Sequence, residues 1–280
     1  MKRMIVLIVA VLALVTAPAS AQTPRPPRPD PALDRQIELK NLVRGRARID
    51  PAKAYIFIRS PGQRAHGTFL KTPSPDEVAS YEAWARRNPV EARREPIEFS
   101  MLVVFGPNFV FDKTDGPNAS FTYLIEVEPG EYTYLGPMFP SLGVPTFGDC
   151  YCMGSVKFEA KAGQITSLGD FLSLGWADSE ALMQADIYYH AFPDRPSTPT
   201  DWSVPESLAQ YPHARAELRA AGKRSNFLNA LVSRIPPVPG VLAYDRDEVI
   251  DLVAQAESKA RAEAMPDSRA GSDPVPSAQP

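Results

Sequence analysis

Cysteine is nearly absent from this chain, with two in 280 residues, and histidine is present three times. Thiol chemistry is therefore confined to one place, and imidazole chemistry to His66, His190 and His213. No Gly-x-Ser-x-Gly elbow, His-Glu-x-x-His helix, phosphate-binding Walker loop or dinucleotide fingerprint occurs. A catalytic group gathered from distant residues stays open, since such sites assemble in space. An excess of base is also missing. The net charge is −3, and loss of Lys2 and Arg3 with a leader would take it to −5. That balance offers no positive field for nucleic acid. Beyond residue 21, no run is apolar enough to span a bilayer.

What is present begins with MKRMIVLIVAVLALVTAPASA. Lys2 and Arg3 precede the apolar run Met4 to Val15, and Ala19-Ser20-Ala21 is a small-x-small cleavage site. This is the pattern of a secretory signal peptide cut between Ala21 and Gln22. A dozen apolar residues are short for the ~30 Å hydrocarbon core, which argues against a retained anchor. The expectation is a soluble protein of the periplasm or the exterior. Residues 22–35 are a proline-rich linker, extended like other such tethers. Residues 262–280 are too polar to offset their ordering entropy and read as a disordered tail.

The middle of the chain reads as strands. In Lys53 to Arg59 both alternating sets, Tyr55/Phe57 and Ile56/Ile58, are apolar, which suits a strand covered on both faces. Phe99 to Phe105 reads the same way. Phe121, Tyr123, Ile125 and Val127 share one face. Glu128-Pro129-Gly130-Glu131 then has type II turn chemistry and leads into Tyr132 and Tyr134, so a hairpin is predicted. Val156, Phe158 and Ala160 face inward, with Lys157, Glu159 and Lys161 outward, before a turn at Ala162-Gly163-Gln164. Ser74-Pro75-Asp76-Glu77 is a capping box that opens an inserted helix near 75–88, with Val78, Tyr81, Trp84 and Ala85 as its apolar stripe. Cap-like starts and helix-forming stretches at Pro212 to Ala221, Asn226 to Ile235 and after Asp245 predict a mostly helical region over 176–261. The fold class expected is mainly β: an Ig/transthyretin-like β-sandwich over 36–175, with the inserted helix and a helical C-terminal extension packed on it.

Pro129-Gly130-Glu131-Tyr132 followed by Phe158-Glu159-Ala160-Lys161-Ala162-Gly163-Gln164 resembles a "PG-x-Y … F-x-A-x-x-G" arrangement. That arrangement recurs in bacterial envelope β-sandwich proteins of unknown function and in carboxypeptidase-regulatory-like groups. The resemblance covers residues 121–172. It implies an Ig- or transthyretin-like module of the cell envelope and carries over no catalytic residue.

Both cysteines fall in Gly148-Asp149-Cys150-Tyr151-Cys152-Met153-Gly154. Three readings compete. A Cys150–Cys152 disulfide suits an exported protein. Two residues of extended chain, however, separate Cα atoms by roughly 6.6–7.2 Å, against a usual disulfide span of ~4.4–6.8 Å. The bond therefore requires a bend, which Gly148 and Gly154 would permit. Alternatively, Cys150, Cys152 and Met153, completed by His190, form a soft ligand set for Cu(I). In the third reading the thiols pack as small hydrophobes or pair with another chain. In ADIYYHAF, Asp186 and His190 would share a helix face.

Two functional expectations follow. The first is a non-catalytic exported β-sandwich, periplasmic or secreted, that binds an envelope protein or surface component and holds no cofactor. The second is a periplasmic thiol-redox or copper-binding protein built on the Cys-Tyr-Cys motif.

Overall fold

The computed structural model describes residues 36–62, 64–106, 110–116, 119–139, 146–172 and 201–264. The chain is mainly β, with several sheets and a C-terminal helix. The first sheet contains β1 (Ala54–Pro61), β4 (Asp112–Thr114), β5 (Ser120–Val127), β10 (Ile165–Ser167) and β11 (His213–Arg215), in the order β11-β10-β1-β5-β4. The second contains β2 (Gly67–Lys71), β3 (Leu102–Phe105), β6 (Gly130–Gly136), β9 (Ser155–Ala160) and β12 (Arg219–Ala221), in the order β12-β9-β6-β2-β3.

The two sheets share one apolar cluster. Ile56, Ile58, Tyr123 and Ile125 of the first meet Phe69, Phe105, Tyr134 and Phe158 of the second. The outer face of the first sheet is also covered. Tyr55, Phe57 and Leu124 pack with Ile37, Phe111 and Leu208. β1 is thus buried on both faces, the arrangement its doubly apolar pattern calls for. The outer face of the second sheet carries a third cluster, in which Leu70, Leu102 and Leu135 pack with Met138 and both cysteines.

The expected hairpin at Pro129-Gly130 does not form. β5 pairs with β1 and β4, whereas β6 pairs with β2 and β9. The turn carries the chain from one sheet to the other. Ala162-Gly163-Gln164 does the same between β9 and β10, and β10 then runs parallel to β1. The chain reverses at both turns, but the returning strand takes its hydrogen bonds in the facing sheet.

The inserted helix is α2 (Pro75–Arg87), after the short α1 (Leu39–Val43). Its capping box is complete: Glu77 N–H donates to Ser74 Oγ at 3.2 Å, and Ser74 N–H donates to Glu77 Oε2 at 2.7 Å. Trp84 is the buried member of its stripe. Two short helices, α3 (Pro89–Arg94) and α4 (Ile97–Ser100), lead to β3, so the strand expected from Phe99 begins at Leu102.

The mostly helical region expected over 176–261 is corrected where it is described. Pro212 to Ala221 forms β11 and β12, not a helix, and places one strand on an edge of each main sheet. Asn226 to Ile235 holds β13 (Leu231–Val232), preceded by a turn in which Asn226 bonds both the N–H and the carbonyl of Ala230. Asp245 to Glu248 is the turn of a hairpin between β14 (Leu242–Asp245) and β15 (Glu248–Asp251), with Arg246 at φ +54°. The last helix, α5 (Leu252–Ala264), starts later than expected, where Asp251 Oδ1 accepts from Ala254 N–H at 2.9 Å. Backbone bonding to open sheet edges outweighs a weak local helix preference here, since short helices are marginal alone.

Candidate functional site

Cys150 ends β8 (Phe147–Cys150), and Cys152 lies between β8 and β9. β8 lies between β13 and β7 (Met138–Phe139) in a three-stranded sheet. The backbone bends after Cys150. Tyr151 N–H donates to the Leu135 carbonyl at 2.6 Å, and Gly154 N–H returns to the Tyr151 carbonyl at 3.2 Å. The Cα atoms of Cys150 and Cys152 are thereby 5.1 Å apart, well short of the extended distance, and their sulfurs form a disulfide. Gly148 has φ +100°, and a Cβ there would overlap the Pro137 carbonyl. Gly154, at φ +147°, lies against the Tyr244 ring with no room for a side chain. Both flanking glycines serve close backbone approach.

The bridge is sealed. Cys150 is 2% exposed and Cys152 3%. Around them pack Leu70, Leu102, Leu135, Met138, Leu228 and Ala230, with Phe99, Met101 and Phe227 at the margin. The segment 224–235 is bonded along the bend. Arg224 N–H donates to the Cys152 carbonyl at 2.9 Å, Ser233 N–H to the Cys150 carbonyl at 2.8 Å, and Ile235 N–H to the Gly154 carbonyl at 3.0 Å. Met153 N–H in turn donates to the Ser233 carbonyl at 3.0 Å. Arg224 also reaches Thr133 Oγ1 on β6 at 2.8 Å.

The remaining sequence candidates are dispersed. Met153 is half-buried, and the methionines packed about the bridge are Met138 and Met101. His190, Asp186, Ala21 and Gln22 lie outside the described residues. Among the described residues, no three His, Cys, Asp or Glu side chains come together to hold a metal ion. His66 is half-buried. Burial lowers its pKa from the ordinary 6.5, against a hydrogen bond to the Pro137 backbone. His213 is an exposed residue of β11, not of a helix's first turn, and its Nδ1 lies 2.9 Å from the Tyr211 carbonyl. Among the described residues no helix is long and apolar enough to cross a membrane.

A second feature occupies the outer face of the first sheet. Ile37 N–H donates to the Leu124 carbonyl and Leu39 N–H to the Phe111 carbonyl, laying α1 against β5 and the start of β4. An open hollow lies there. It is lined by Leu39, Val43, Val110 and Phe111, by the cations Lys40, Arg44, Arg64 and Lys113, and by the acids Glu38 and Asp112. After α1 the chain reads Arg44-Gly45-Arg46-Ala47-Arg48-Ile49. Ala47 and Ile49 pack into the cluster below, and the three arginines are exposed. Sequence reasoning passed over this segment, although its alternation of arginine with small and apolar residues is a legible sign of a half-buried chain with a cationic outer side.

No family model, curated protein or solved structure matches the chain.

Proposed function

We propose that this chain is a non-catalytic exported module of the cell envelope, periplasmic or secreted, that binds a surface component. On this reading the two-sheet core is an Ig/transthyretin-like sandwich, as the turn motifs of residues 121–172 suggest by resemblance. The cationic face of residues 40–48 is its contact surface.

The observation that carries the reading is the sealed position of the Cys150–Cys152 bridge. A thiol-exchange centre or a copper site needs sulfurs that an incoming thiolate or ion can reach. These lie in an aliphatic and aromatic shell beneath residues 224–235. That environment suits a structural bridge kept oxidised in an oxidising compartment.

The test uses the full-length chain in its native host. Cells are fractionated, free thiols are alkylated at once, and the intact mass is read. The expected result is envelope-associated protein that begins at Gln22 and takes up no alkyl group. Replacing Arg44, Arg46 and Arg48 by Glu should release it to the soluble fraction. Cytoplasmic protein with free thiols, or envelope association untouched by the charge reversal, would defeat the proposal.

A further inference from the structure

We infer that the face formed by Lys40 to Arg48 and the adjoining hollow docks on an anionic lipid surface. This rests on the reading of the chain as an exported binding module, and it names the component bound.

The first ground is uncompensated charge. Elsewhere some cations of the fold are matched, as Lys71 is with Glu77 at 2.7 Å, Lys157 with Glu131 at 2.8 Å and Arg219 with Glu257 at 2.6 Å, and others, such as the exposed Arg87, Arg93 and Arg94, are not matched by any described residue. At the hollow, Lys40 is paired with Glu38 and Lys113 with Asp115, and Arg64 lies over the Phe121 ring. Arg44, Arg46 and Arg48 form no ion pair with any described residue. Three guanidinium groups within five residues repel one another and concentrate positive potential on a chain whose overall charge is negative.

The second ground is the apolar content of the same face. Val43 is 75% exposed, the most among the large apolar residues described, and it directly precedes Arg44. With Leu39, Val110 and Phe111 it lines the hollow with apolar side chains. A soluble polyanion would use the arginines and leave Val43 in water. A lipid surface presents phosphates with hydrocarbon directly beneath, and satisfies both.

The third ground is rigidity. Arg46 N–H and Ala47 N–H both donate to the Asn41 carbonyl, at 2.8 and 3.0 Å, and Leu39, Leu42, Ala47 and Ile49 are packed beneath. The arginines are held at fixed backbone positions, so docking orders little beyond their side chains.

Each basic residue near an anionic surface contributes about 1 kcal/mol, or roughly fivefold in binding, so three are worth on the order of a hundredfold. The experiment is flotation of the mature full chain with vesicles of phosphatidylglycerol and phosphatidylcholine in equal parts, beside pure phosphatidylcholine, at rising salt. Inorganic polyphosphate serves as the soluble probe. The proposal expects binding to the mixed vesicles alone, weakening with salt. It also expects a loss of about a hundredfold for the Arg44→Gln, Arg46→Gln, Arg48→Gln variant at an unchanged melting temperature. Val43→Ser should weaken vesicle binding severalfold and leave polyphosphate binding untouched. Absence of vesicle binding, or its survival in the triple variant, overturns the proposal. So does polyphosphate binding as tight as vesicle binding with Val43→Ser inert in both. In those cases charge-dependent retention in the envelope fraction would still support a binding module, with a component other than lipid.

Discussion

Leu228→Ala is the change that most directly probes how the cysteine bridge is protected. Leu228 is 7% exposed and lies with both sulfurs, Leu70, Leu135 and Met138 in one cluster. Leucine-to-alanine changes in cores cost ~2–5 kcal/mol. Leu228 belongs to a surface segment that can settle into the space left, so the lower end, about 2 kcal/mol, applies. If a reductant reaches the sulfurs only when residues 224–235 lift away, and closure is faster than attack, reduction follows the open population. About 2 kcal/mol then accelerates reduction by roughly thirtyfold. The assay is native-state reduction with dithiothreitol, quenched by alkylation and read by mass. Support in the reverse direction is measurable too. Closing a loop of three residues removes about 1.6 kcal/mol of chain entropy on the usual loop-length relation. Reduction should therefore speed amide exchange at Arg224, Ser233 and Ile235, whose N–H groups donate to the Cys152, Cys150 and Gly154 carbonyls, by up to roughly fifteenfold. Amides of β1, buried on both faces, exchange only when the domain unfolds and should speed by up to the same factor. A Leu228→Ala protein that melts earlier but is reduced at the wild-type rate would refute the reasoning, because the sulfurs would then be reached by a path that does not involve the cover.

Three further outcomes are expected. Ser74→Ala breaks a complete capping box and should cost about 1 kcal/mol, lowering the melting temperature by roughly 2–4 °C; an unchanged melt would show that α2 frays without consequence. Gly148→Ala sets a Cβ against the Pro137 backbone at φ +100° and should cost more than ~3 kcal/mol, seen as loss of soluble folded protein, while Gly222→Ala, with open space around it, stays within about 0.5 kcal/mol of wild type. His66 has a folded pKa below 6.5, because burial disfavours its charged form. The unfolded chain therefore takes up a proton that the folded ring resists, and stability present above pH 6.5 is lost as pH falls towards the folded value. His66→Gln should flatten that part of the melting-temperature profile, and an identical profile in the variant would locate the acid sensitivity elsewhere.

What could be read from the sequence divides along the range of the interactions concerned. The cap of α2 rests on residues three apart, and Ser74 with Glu77 announced it. The double burial of β1 was visible because both of its alternating sets are apolar, and each set found its own cluster. The cysteine bend was legible as a requirement, since a bond between Cys150 and Cys152 demands Cα atoms closer than an extended chain allows, and two glycines stood ready to supply it. The 224–235 segment that covers the sulfurs was not legible, because its bonds span some eighty residues and are made by backbone groups that leave no mark on residue type.

The turn at Pro129-Gly130 shows why local signals stop short. Proline and glycine set φ values that reverse the chain. They do not say whether the returning strand lies beside its predecessor or in the facing sheet. That choice falls to the flanking strands. β5 has its apolar set Tyr123, Ile125 and Val127 turned inward, and Leu124 is buried on the other side, so its edges are taken by β1 and β4. β6 needs Tyr132 and Tyr134 in the same central cluster, and it meets that need from the opposite layer, between β2 and β9. The segment from His213 to Ala221 obeys the same logic. Its alanines, arginines and glutamate favour a helix, but Ala216, Leu218 and Ala220 have their buried places only if the chain is extended, with β11 on the edge of one sheet and β12 on the edge of the other. One short stretch thereby covers an exposed edge of both sheets, a gain in backbone hydrogen bonds that no helix of its length could match.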